Sequence, residues 1–201
     1  LRIRTIVAGT AALALLAGCG GSGGTTGTPT TGTQPTGTGT GGAAPKIGNP
    51  LDVKAFEADP CSAVTPAQVQ AFGLPGVSGR TNPGAVGTAC IWLGTSTPAK
   101  MSPGIAILPD GTSLSSVIAK KDSTYQVFEQ LPDIQGYPAY IALVSDGRAS
   151  GSCELLVGVS DSRTIGSTFQ SSTGSPKFAD PCGAATEFAS LAITTIKAGA
   201  K

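Results

Sequence analysis

Residues 51–201 are expected to form one α+β domain, an antiparallel sheet with helices packed mainly on one face. Six short strand-like runs, 88–93, 104–108, 125–131, 137–144, 153–159 and 164–169, follow one another along the chain. Most are bounded by Gly, Pro, Asp or Ser, the residues that turn a chain between strands. No long helical pattern separates each pair of strands, as a parallel doubly wound sheet would require. Helix signals are confined to three places: before the strands, between the second and third runs, and at the end of the chain.

The first helix is predicted over 65–73, where Thr65 caps, Pro66 takes the first position and Gly73 stops it. The next two runs are strands, the first carrying Cys90 and Trp92. A second helix is expected over 113–121, with Leu114, Val117, Ile118 and Lys121 on one face. The run Tyr125-Gln126-Val127-Phe128-Glu129-Gln130 mixes polar and apolar faces, as a half-exposed strand should. Residues 139–144 and 155–159 are more continuously apolar and are expected to be central. The last helix has the strongest signal. Asp180 caps it, Pro181 starts it, and Phe188, Leu191, Ala192 and Ile196 form an apolar stripe.

The chain has 13 Lys+Arg against 12 Asp+Glu, so a broad electrostatic grip on nucleic acid is excluded. It has no His, which removes Ser-His-Asp and Cys-His catalysis, His-ligated metals and the usual pH switch. No catalytic residue, metal or cofactor is expected. Ser115 and Lys120 read as solvated positions on a helix rather than a nucleophile and its base. Asp110, Asp122, Asp133, Asp146 and Asp161 lie near turn residues, where Asp is favoured for backbone reasons. Arg163 falls in an expected hairpin turn. Trp92, the sole Trp, is expected to pack in the core against a disulfide. Tyr125, Tyr137 and Tyr140 sit on strands, where aromatic residues are normal.

Four cysteines lie within the domain: Cys61, Cys90, Cys153 and Cys182. An even count in an exported chain reads as two disulfides, and three pairings are open. Cys61 and Cys90 are as far apart in sequence as Cys153 and Cys182, and Asp-Pro-Cys occurs at both Cys61 and Cys182. These two coincidences favour Cys61–Cys90 with Cys153–Cys182. No two cysteines form a CxxC, so a zinc or redox site is not expected.

The N-terminal segment reads as an export signal. Arg2 and Arg4 precede an uncharged apolar run of about 14 residues, shorter than the roughly 20 needed to span a membrane. It ends Leu15-Leu16-Ala17-Gly18-Cys19, which resembles the lipobox of bacterial lipoproteins. The resemblance implies that residues 1–18 are a lipoprotein signal peptide, cut after Gly18, and that the Cys19 thiol carries a diacylglyceryl group. Two or more acyl chains hold a protein stably at a membrane, where one does so only marginally. Residues 19–50 are the lipidated Cys and a tether. From Gly20 to Pro45 every residue is Gly, Ser, Thr or Pro except Gln34, Ala43 and Ala44. Such a stretch cannot bury enough surface to offset its ordering and is expected to be disordered, with an r.m.s. span of roughly 30 Å.

The order of motifs is lipobox, Thr/Gly-rich tether, Asp59-Pro60-Cys61 followed by Thr65-Pro66-Ala67, Cys90-Ile91-Trp92, Gly136-Tyr137-Pro138-Ala139, the strand at Cys153, and Asp180-Pro181-Cys182. It resembles the actinomycete lipoprotein family with domain of unknown function 3558, over about residues 59–198. The resemblance implies an actinobacterial source and a place at the extracytoplasmic face of the cell membrane, and it brings no activity with it. The expectation is a lipid-anchored, non-catalytic domain that binds a partner protein, a wall component or a small apolar ligand. Its alternatives are a His-free envelope hydrolase or transferase, and an accessory subunit of an export or transport complex.

Overall fold

The computed structural model describes residues 44–84 and 87–199. The expected signal peptide, Cys19 and all but the last few residues of the expected tether lie outside the described residues. The chain runs α1 (Lys54–Glu57), a 3-10 turn (Pro60–Ala63), α2 (Pro66–Phe72), β1 (Gly79–Gly84), β2 (Gly87–Trp92), β3 (Met101–Ile107), α3 (Leu114–Ile118) and α4 (Lys121–Thr124). It continues through β4 (Val127–Ile134), β5 (Tyr137–Leu143), a second 3-10 turn (Arg148–Ser150), β6 (Ser152–Gly158), β7 (Thr164–Ser171) and α5 (Pro181–Gly199). The seven strands form one antiparallel sheet in the order β1-β2-β3-β7-β6-β5-β4. This is the α+β architecture that the sequence predicts.

Strand alternation sends one set of side chains toward α5 and the other to the opposite face. The α5 side holds the main core, including Trp92, Ile105, Leu155, Ile165 and Phe169. Helix α5 lays Ala185, Phe188, Ala189, Ala192, Ile193 and Ile196 on it, all with no exposed surface. Its alanines allow close approach to the sheet, and Ser167 donates to the Ala185 carbonyl at 2.8 Å. Asp180 caps the helix through the Gly183 amide at 2.8 Å. Phe188 fills the centre, edge-on to Phe72 at 4.9 Å and to Trp92 at 5.1 Å. The disulfides are Cys61–Cys90 and Cys153–Cys182, the favoured pairing. They fasten the first 3-10 turn to β2 and the start of α5 to β6.

Helix α2 forms as expected. Thr65 and Gln68 make a reciprocal capping box, and Gly73 ends the helix at φ 109°, a conformation that favours glycine. Gln68 also donates to the Leu191 carbonyl at 3.0 Å, so the cap of one helix is fixed to the side of another. Residues just before 51 already touch the domain. The Ile47 amide donates to Asp161 at 3.1 Å and the Tyr137 hydroxyl to the Asn49 carbonyl at 2.9 Å.

Several elements differ from expectation. Strand β1 was not anticipated, because Gly-Arg-Thr-Asn-Pro-Gly has little β-propensity; at the sheet's edge, pairing with β2 supplies what propensity does not. The helix expected over 113–121 is two short pieces, α3 capped by Ser113 and then α4. Tyr125 precedes β4 rather than lying in it. The two apolar runs, in β5 and β6, are interior strands, but the central strand is β7. Its Thr-Ile-Gly-Ser-Thr-Phe sequence disguised that position.

Candidate functional site

The face of the sheet opposite α5 is half covered. Leu114 of α3 sits over Gly158, where an added Cβ would meet Leu114 at 3.0 Å. Val117 joins Leu108, Ala142 and Leu156 in a small second core, with Tyr125 and Phe128 packed against it. Phe128 stacks on Tyr140 at 5.1 Å and meets Tyr125 at 5.5 Å. Together α3 and these rings form a wall over parts of β4, β5 and β6.

Beyond the wall, no described element covers β1, β2, β3 and β7 on this face. Backbone register places Arg80, Ile91, Gly104, Thr168 and Glu154 side by side across five strands on this face. The next row is Asn82, Ala89, Ala106 and Gly166, ending at Leu156 beneath the wall. The floor is therefore a trough of small residues. Gly104 cannot be larger without moving Thr168, whose Oγ1 would lie 2.6 Å from an added Cβ. Arg80 and Glu154 are both exposed at the two ends of the row. Neither has an ion-pair partner among the described residues.

Although solvent reaches Glu154, the crowded sheet surface beneath it partly desolvates its carboxyl and raises its pKa above the usual value. Burial raises the Tyr125 hydroxyl, and the nearby negative charge of Glu154 raises it further. Tyr140 is raised by burial first and by Asp133 second.

The remaining residues singled out in the sequence are structural in position. Trp92 is buried in the main core, and Tyr137 lies on that side with Lys197 over its ring at 5.1 Å. Arg163 lies in the β6–β7 turn, donates to the Leu108 carbonyl at 3.1 Å and pairs with Glu57 and Asp110. Asp146 accepts two hydrogen bonds from the Arg148 guanidinium, which hold its carboxyl at about 2. Asp122 pairs with Lys121, and Asp161 with Lys46. Asp133, Ser115 and Lys120 are exposed. The described residues contain no group of three acidic, Cys or His side chains placed to hold a metal.

Among the hollows on the described surface are ones of about 230, 260 and 230 Å³. One lies where Pro45 and Lys46 meet Leu114, one beside Cys61 and Trp92, and one against Arg163. The trough residues Arg80, Ile91, Gly104, Thr168 and Glu154 were missed in the sequence. The one available signal was Glu154, a charge between the buried Cys153 and Leu155.

Residues 14–195 match the family described as "Protein of unknown function (DUF3558)". The chain belongs to the DUF3558 family. The match takes in the whole described sheet, both disulfides and most of α5. No curated protein and no solved structure matches this DUF3558 chain.

Proposed function

We propose that the protein is a lipid-anchored, non-catalytic binding module at the extracytoplasmic face of an actinobacterial cell membrane, and that a protein partner occupies its open sheet face. The observation carrying the choice of ligand class is the contrast between that face and the hollows. Small-molecule sites are concave and typically about 300–1,000 Å³, larger than each hollow described here. A trough floored by Gly and Ala, with Ile91 and an unpaired charge at either end, suits another protein surface better than a small apolar molecule.

Anchoring is supported by Leu16-Ala17-Gly18-Cys19 after an apolar run, and the family match extends over that segment. Two disulfides suit an oxidising compartment outside the cytoplasm. Replacing Cys19 by Ala is expected to release the protein from membranes or leave it unprocessed. Unchanged membrane retention and mobility would refute the anchor. The binding face is tested by placing a photoreactive amino acid at Thr168 in living cells. Capture of a protein at constant stoichiometry is expected, and no capture on irradiation rejects the face.

A further inference from the structure

The open trough complements itself. Arg80 stands on the first strand of the sheet, Gly104 on the third and Glu154 on the fifth, all in one row. A twofold axis parallel to β3, lying above Gly104, exchanges the first strand with the fifth and the second with the fourth. It therefore sets Arg80 of each copy against Glu154 of the other and Ile91 against Thr168. Gly104 and Ala106 fall on the axis, opposite their own counterparts, where two sheets come closest and where a large side chain would hold them apart. Isologous pairing of this kind is how most homodimers form.

Resting on the reading that the open face binds protein, we infer that the partner is a second copy of this chain, packed sheet face to sheet face about that axis. Two Arg80–Glu154 pairs close the ends of the contact, which gives Glu154 a cation that no described residue of its own chain brings. The wall of α3 and the Tyr125, Phe128 and Tyr140 rings fixes the lateral position, because the edge strand of the incoming copy stops against it. Five strands by two rows give a footprint of about 24 by 14 Å, or about 330 Å² on each copy. That is smaller than the roughly 800 Å² per partner of a standard interface. Association is weak in free solution and is favoured where anchoring confines both copies to one surface.

The test uses the full chain in its native envelope, carrying Ala106→Cys on the axis and treated with a short-spacer bismaleimide. A self-crosslinked dimer is expected. Arg80→Glu or Glu154→Arg, each added singly, turns both end pairs repulsive and is expected to cut the dimer yield by at least about tenfold. The double reversal Arg80→Glu/Glu154→Arg restores the yield, which a mere folding defect would not do. A yield indifferent to the single reversals overturns the inference, as does the absence of a self-crosslink. If A106C instead crosslinks to a different protein, the second copy is rejected and the binding face stands. If neither A106C nor the probe at Thr168 captures anything, both are rejected.

Discussion

A Phe188→Ala protein is expected to lose about 3–5 kcal/mol of stability, the usual cost of removing a fully buried aromatic ring. Phe188 has no exposed surface and lies where α5 meets the sheet, in edge-on contact with Phe72 and Trp92. Phe72 in turn meets Phe169 of the central strand at 6.3 Å, so one truncation loosens α2, β2 and α5 together. Each kcal/mol shifts the melting temperature of a domain this size by about 2–4 °C, so the midpoint should fall by about 6–20 °C. Trp92 is the sole Trp, and its fluorescence reports directly on the ring beside it during urea unfolding. A loss below about 1 kcal/mol would mean that α5 does not rest on the sheet through Phe188.

The second large effect belongs to the Cys153–Cys182 bridge. Its cysteines are 29 residues apart, and closing a loop of that size lowers the entropy of the unfolded chain by the equivalent of about 3–4 kcal/mol. Replacing both cysteines by Ser, which leaves no stray thiol, is expected to lower the melting temperature by about 10 °C. The bridge also pins the first turn of α5 to β6, with Cys153 buried beneath it. Amide exchange should therefore quicken first at the start of that helix. Calorimetry of the double Ser variant against the oxidised parent reads the first effect, and an unchanged melting temperature rejects it.

Much of this architecture was legible because local and tertiary signals agree. In α5 the cap, the proline and the apolar stripe point the same way, and the structure adds Ala185, Ala189 and Ile193 to the buried side. The spacing and tripeptide coincidences at the cysteines gave the pairing that forms. Where the two kinds of signal part, the reading failed. Strand β1 exists because β2 offers it a ladder, not because its own residues prefer to be extended. Strand β7 is central because Ile165, Ser167 and Phe169 face the main core, while its small and polar residues face the trough. The trough was invisible for a related reason. Its residues come from five separate strands, and only their register puts Arg80 and Glu154 in one line.

The placement of the two bridges also decides how the protein survives a protease. Each bridge closes its own segment, 61–90 or 153–182. A single cut inside either loop leaves both pieces covalently joined. A single cut anywhere in 91–152 severs the last covalent link between the two halves. The pieces are then kept together only by packing and by ladders such as that between Met101–Ile107 and Thr164–Ser171. The stretch between the bridges is therefore the one whose cleavage can detach the C-terminal half from the N-terminal half.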